Sequence, residues 1–74
     1  MAFIDISIPE SANIQSVQHD PDTQTLRVTF KKNGAVYDYA GVDENKANGF
    51  STAESAGRYL QTYVKGQHPF NRLA

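Results

Sequence analysis

The stretch Leu26-Arg27-Val28-Thr29-Phe30-Lys31-Lys32-Asn33-Gly34-Ala35-Val36-Tyr37-Asp38-Tyr39 decides the fold. Asn33-Gly34 lies between two runs rich in β-branched and aromatic residues. That dipeptide is the strongest short-range hairpin signal, because a type I′ turn needs positive φ at both central residues. A two-residue loop also predicts the register, with Phe30 opposite Tyr37 and Val28 opposite Tyr39. Leu26, Val28, Phe30, Tyr37 and Tyr39 then share one face. Arg27, Thr29, Lys31, Val36 and Asp38 share the other.

Upstream, Ile4, Ile6 and Ile8 alternate with Asp5 and Ser7, which predicts an N-terminal strand or arm over residues 1–10. Pro9 limits its continuation. Asn13 to His19 is a second candidate strand. Asp20-Pro21-Asp22-Thr23 reads as a turn, since proline presets φ and aspartate bonds its own backbone.

Downstream of Val42 the period changes from two to that of a helix. Asp43 is placed to cap a short helix through Asn48, with Gly49 as its end. Ser51-Thr52-Ala53-Glu54 matches a capping box, with Ser51 as N-cap and Glu54 three positions on. Ala53, Ala56, Leu60, Tyr63 and Val64 form one helical stripe suited to cover the hairpin's apolar face. Gly57 weakens that helix by roughly 1 kcal/mol relative to alanine, which makes most sense if a backbone or ligand approaches it. Gly66 is placed as the stop, and residues 67–74 form an extended tail with Phe70 docked on the body. The pattern predicts one α+β domain over residues 1–74: a small antiparallel meander of three or four strands, with a short helix and a C-terminal helix packed on one face.

The chain has 74 residues and no cysteine, so neither a disulfide nor a thiolate metal site is available. A core this small gains from self-association, and a homo-oligomer stays open beside a monomer. The N-terminus lacks the basic segment of a signal peptide, and no run approaches the length of a membrane helix. A cytoplasmic location with no membrane partner is the expectation. The net charge of −1 counts against tracking a long phosphate backbone. The charge is uneven, however. From Gly57 onward there is no Asp or Glu, while Arg58, Lys65, His68 and Arg72 all lie there. That end suits a compact anion, or equally a solvated helix with cations near its C-terminal dipole.

In order, several pieces resemble the KTSC domain family, named for its occurrence at the C-terminus of some lysyl-tRNA synthetases. Ser11-Ala12-Asn13-Ile14 is similar to the family's opening Ser-Asn-Ile element. Leu26-Arg27-Val28-Thr29-Phe30 with Gly34 is similar to its central strand and turn. Tyr37-Asp38-Tyr39 matches its Tyr-x-Tyr hallmark, and Ala53-Glu54-Ser55-Ala56-Gly57-Arg58-Tyr59 its Ala-x-Ser-x-Gly helix. Val64-Lys65-Gly66 resembles the closing segment. Two places depart from the pattern: Val17-Gln18 stands where the family often has Gly-Tyr, and Glu44-Asn45-Lys46-Ala47-Asn48 lacks the usual apolar residues. The resemblance covers roughly residues 11 to 73. It implies a small domain that also stands alone in bacteria and phages, with RNA binding inferred from the synthetase context.

The candidate binding residues follow. Tyr37 and Tyr39 offer π-faces for base stacking, yet the hairpin places them on the apolar face, where core packing is the competing reading. Arg58, Tyr59 and Lys65 combine a ring with two cations for phosphate, against ordinary amphipathic surface. Ser11 and Asn13 offer hydrogen bonds to a phosphate or base edge, against ties to their own backbone. His19 and His68 lack metal-ligand spacing, and neither a nucleophile elbow nor a phosphate-binding glycine loop is present. The expectation is a non-enzymatic domain with no cofactor, binding short RNA. The alternatives are a homo-oligomer that sequesters a small or cyclic nucleotide, as in a phage, and a module that binds or inhibits a protein partner.

Overall fold

The computed structural model describes residues 3–9 and 13–73. Five antiparallel strands lie side by side in chain order: β1 (Ile4–Ile6), β2 (Ile14–Asp20), β3 (Thr25–Phe30), β4 (Val36–Tyr39) and β5 (Phe70–Arg72). Between β4 and β5 come two helices, α1 (Glu44–Thr52) and α2 (Ala56–Tyr59). A π-helical turn over Leu60–Val64 prolongs α2. The class is α+β, as the sequence pattern predicts.

The strand number is five rather than three or four. The extra strand comes from the C-terminal segment, where Tyr37 faces Arg72 and Tyr39 faces Phe70. Backbone bonds from Ala40 N to the Pro69 carbonyl (2.9 Å) and from Leu73 N to the Val36 carbonyl (2.7 Å) bracket that pairing. Without β5, the outer edge of β4 would present unpaired backbone groups. At the opposite edge Ile4 faces His19 and Ile6 faces Val17, so the N-terminal strand completes its own sheet.

The turn between β3 and β4 is longer than Asn33-Gly34 alone suggests. Phe30 N bonds the Ala35 carbonyl (2.9 Å) and Gly34 N bonds the Phe30 carbonyl (3.1 Å), leaving residues 31–34 as the loop. Gly34 takes φ +67, whereas Asn33 stays out of the positive region. Asn33 contributes through its side chain instead: its Oδ1 accepts from Ala35 N at 3.1 Å. The register therefore slips by two, pairing Val28 with Tyr37 and Leu26 with Tyr39. An even slip preserves the face of every side chain, so the expected division into faces stands. On the outer face, Arg27 grips Asp38 with a bidentate pair at 2.8 and 3.0 Å. The Asp20–Thr23 turn forms as expected, with Asp22 N donating to Asp20 Oδ1 at 3.0 Å.

Asp43 caps α1, its Oδ1 accepting from Lys46 N at 2.7 Å. The helix then runs through Gly49 to Thr52 rather than ending at Asn48. Phe50, fully buried, anchors this extra turn to the core, and that burial outweighs the weak helix preference of glycine. The capping box at Ser51 does not form, because Ser51 lies in the last turn of α1 and donates to the Asn48 carbonyl. Ser55 caps α2 in its place, accepting from Arg58 N at 3.3 Å. Gly57 faces no close approach: a Cβ there would meet only Asn13 Nδ2, at 3.9 Å. Gly66 stops the helical segment at φ +84.

The core lies between one sheet face and the helices. Ile14, Val17, Leu26, Val28 and Tyr39 meet Ala47, Phe50, Ala56, Leu60 and Val64, all at most 3% exposed. His19 joins this buried face, with its Nε2 at 2.7 Å from the Val42 carbonyl. Tyr63 leaves the expected stripe and is 49% exposed. The turn there closes through Lys65 N and the Leu60 carbonyl, a bond spanning five residues. Such a wide turn brings Val64, four positions on, back over Leu60 and swings Tyr63, three positions on, aside, so Val64 packs and Tyr63 does not. No described helix is long and apolar enough to cross a membrane.

Candidate ligand-binding groove

The helices do not cover the whole sheet face. The aromatic residues at its far end come from three adjacent strands: Phe30 from β3, Tyr37 and Tyr39 from β4, and Phe70 from β5. Strand pleating turns all four rings to the same side, the side that bears the helices. Tyr37 sits at the centre. Its ring lies 5.6 Å from Phe30 in a near-perpendicular arrangement, 6.4 Å from Tyr39 and 5.4 Å from Phe70. Phe70 also meets Tyr39 at 5.8 Å, yet remains 57% exposed. These separations are those of favourable aromatic pairs. The Arg72 guanidinium lies 5.9 Å from the centre of the Tyr37 ring.

The four rings floor a groove of about 390 Å³, within the size range of small-molecule sites. Lys32 and Asn33 reach its rim from the β3–β4 loop, and Asn13 and Lys65 complete the lining. None of the described residues lining it is acidic. The groove thus joins an aromatic floor to two lysines and two amides.

Tyr39 is buried and Tyr37 only half-buried. Burial raises the Tyr39 hydroxyl above its ordinary titration range, and the neighbouring Tyr37 adds to that. Tyr39 is therefore the floor of the groove and part of the core, while Tyr37 offers an accessible ring.

The other expected site residues are not all brought here. Asn13 and Lys65 line the groove. Arg58 and Tyr59 line a separate hollow of about 280 Å³ with Ser55 and Tyr63. Tyr59 is largely committed to structure: its hydroxyl donates to the Lys46 carbonyl at 2.8 Å and its ring packs on Phe50 at 4.5 Å. Burial raises the Tyr59 hydroxyl as well, with smaller contributions from Tyr63 and Asp43. Ser11 lies outside the described residues.

Phe30, Lys32, Asn33, Ala35 and Phe70 also line the groove, although the sequence does not mark them as site residues. Phe70 was foreseeable as a docked side chain but not as part of a strand beside Tyr39. Lys32 and Asn33 read as turn residues, and their place at the groove follows from the longer loop. The segment carrying Phe70 is held in place by His68, whose Nδ1 lies 3.0 Å from the Ala40 carbonyl and whose Nε2 lies 2.9 Å from Lys46 Nζ. An Nδ1–H tautomer satisfies both contacts, donating to Ala40 and accepting from the lysine.

The KTSC domain model matches residues 10–68. The chain belongs to the KTSC domain family. A crystal structure of a KTSC domain protein from Yersinia pestis superposes with a TM-score of 0.86 at 30% identity, covering 99% of this chain and all of that one. A protein of Stutzerimonas stutzeri is 34% identical over 59 residues, 80% of this chain and 82% of its own length. A lysine–tRNA ligase of Nostoc is 32% identical over 66 residues, which is 89% of this chain. The same segment matches a lysine–tRNA ligase of Trichormus variabilis at 30% identity. The chain spans 12% of the length of each ligase. The KTSC domain is thus found both as a segment of a tRNA ligase and as a protein of about its own size. Within this matched region, Tyr39 supplies the floor and Tyr37 the centre of the groove.

Proposed function

We propose that this KTSC domain is a non-catalytic binding domain for short single-stranded RNA, with one base stacked on Tyr37 and Phe70. The observation that carries this reading is the groove itself. Aromatic rings lie uncovered at the end of a core face, beside Lys32 and Lys65 and with no acid among the described lining residues. Base–aromatic stacking of this kind contributes roughly 1–3 kcal/mol per base and tolerates any sequence. The match to segments of lysine–tRNA ligases supports an RNA context. A net charge of −1 suits a short contact rather than a long one.

Fluorescence anisotropy with a labelled RNA trinucleotide tests the reading. Wild type should bind with a shallow salt dependence, about −0.7 in the log–log slope for each phosphate neutralised. Tyr37→Ala should weaken binding by roughly 1–3 kcal/mol. Binding indifferent to Tyr37→Ala would refute the stacking site. A free or cyclic nucleotide that binds far more tightly than the trinucleotide would instead favour sequestration of a small nucleotide.

A further inference from the structure

We infer that the groove takes an internal nucleotide, with its 5′ and 3′ phosphates held by two different lysines. This rests on the stacking reading above and names the ligand unit it accepts. The two lysines are carried by backbone at opposite ends of the aromatic floor. Lys32 belongs to the loop beyond Phe30, at the row where Phe30 meets Ala35. Lys65 pairs through its backbone with His68, whose ring lies at Ala40, just past the row where Tyr39 meets Phe70. From Ala35 to Tyr39 is four strand residues, roughly 13 Å at about 3.3 Å per residue. Tyr37 stands midway between these rows.

A base centred on Tyr37 therefore has a lysine-bearing segment beyond each end of its row along the strand. Both lysines are exposed, so each can extend toward its own phosphate. A terminal nucleotide would use one lysine and leave the other idle, with Arg72 beside Tyr37 common to both cases. A nucleotide within a chain presents a phosphate on both sides and uses both. The geometry thus favours a base flanked by two phosphodiesters over a nucleoside monophosphate.

Isothermal titration calorimetry of the full chain decides the matter with four ligands: adenosine 5′-monophosphate, adenosine 3′-monophosphate, adenosine 3′,5′-bisphosphate and a linear RNA trinucleotide. The bisphosphate should bind at least tenfold more tightly than either monophosphate. Lys32→Ala should abolish the advantage conferred by one phosphate, and Lys65→Ala the advantage conferred by the other. Unchanged melting temperatures would confirm that both variants fold. If the trinucleotide binds through Tyr37 but the bisphosphate gains nothing over the better monophosphate, the two-phosphate inference fails and the stacking reading stands. It fails equally if both lysine variants affect the same phosphate. If neither the trinucleotide nor any of the mononucleotides binds, both readings fall together.

Discussion

Tyr37 and Tyr39 are two residues apart and face the same way, yet they differ in role because they differ in cover. Tyr39 is 3% exposed and packs in the core, whereas Tyr37 is half-buried. Tyr39→Ala should therefore cost about 3–5 kcal/mol, as large aromatic truncations in cores do. Tyr37→Ala should cost much less stability while weakening the proposed RNA binding by roughly 1–3 kcal/mol. Urea denaturation of both variants beside anisotropy separates the two roles, and equal destabilisation would contradict the division. Gly49 is a second residue whose meaning comes from its neighbour. A Cβ there would lie 2.6 Å from Tyr59 Cζ, inside the ring's van der Waals envelope. Gly49→Ala should destabilise by about 1–3 kcal/mol through overpacking, although alanine alone favours a helix by about 1 kcal/mol. Thermal denaturation reads the sign directly: a stabilised variant would show that Tyr59 moves aside without loss.

Among the elements, α1 depends on its first turn and on one buried ring. Its helix propensity is low, with asparagine, glycine, serine and threonine in nine residues. The Asp43 cap satisfies an otherwise orphaned backbone donor at Lys46. Asp43→Ala should cost about 1 kcal/mol, and Asp43→Asn should recover most of it. Equal losses in the two variants, measured by chemical denaturation, would exclude capping as the cause. The hairpin carries its own cross-strand support in Arg27 and Asp38, whose side chains remain partly exposed at 32% and 18%. A double-mutant cycle on that pair should return a coupling of about 0.5–1 kcal/mol, in line with solvent-accessible ion pairs of good geometry.

Across the whole molecule, one buried and one partly buried phenol set an alkaline limit. Tyr39 and Tyr59 are both held above the ordinary tyrosine value, chiefly by burial. In the unfolded chain they would ionise at the ordinary value, near pH 10. The folded state then holds protons that the unfolded state has released, so stability falls as pH rises beyond that point. Below it, both states are protonated and these groups add no pH dependence. The melting temperature should therefore decline from about pH 10 upward, in step with tyrosinate absorbance. Tyr39→Phe should blunt that decline, since phenylalanine fills the site without an ionisable hydroxyl. A decline undiminished in that variant would place the effect elsewhere.

Much of this was legible in the chain. Alternation in Leu26–Phe30 and Val36–Tyr39 identifies which side chains share a face, because pleating has a strict period of two. Asp43 and Gly66 mark the start of the first helix and the end of the helical segment through local hydrogen bonding and backbone freedom, both of which act over a few residues. The KTSC resemblance rests on such short motifs in order. The register was not legible, since a slip of two leaves every face unchanged and only the loop's own bonds distinguish the choices. Phe50 was missed as an anchor because Gly49 before it reads as a helix end. The fifth strand was missed because Phe70-Asn71-Arg72 has no pattern of its own and becomes a strand only by meeting the open edge of β4. Tertiary packing alone decided which tyrosine is covered, since the helices bury Tyr39 and stop short of Tyr37. The sequence determined a face rich in aromatic rings; where the second layer ends made part of that face a core and the rest a groove.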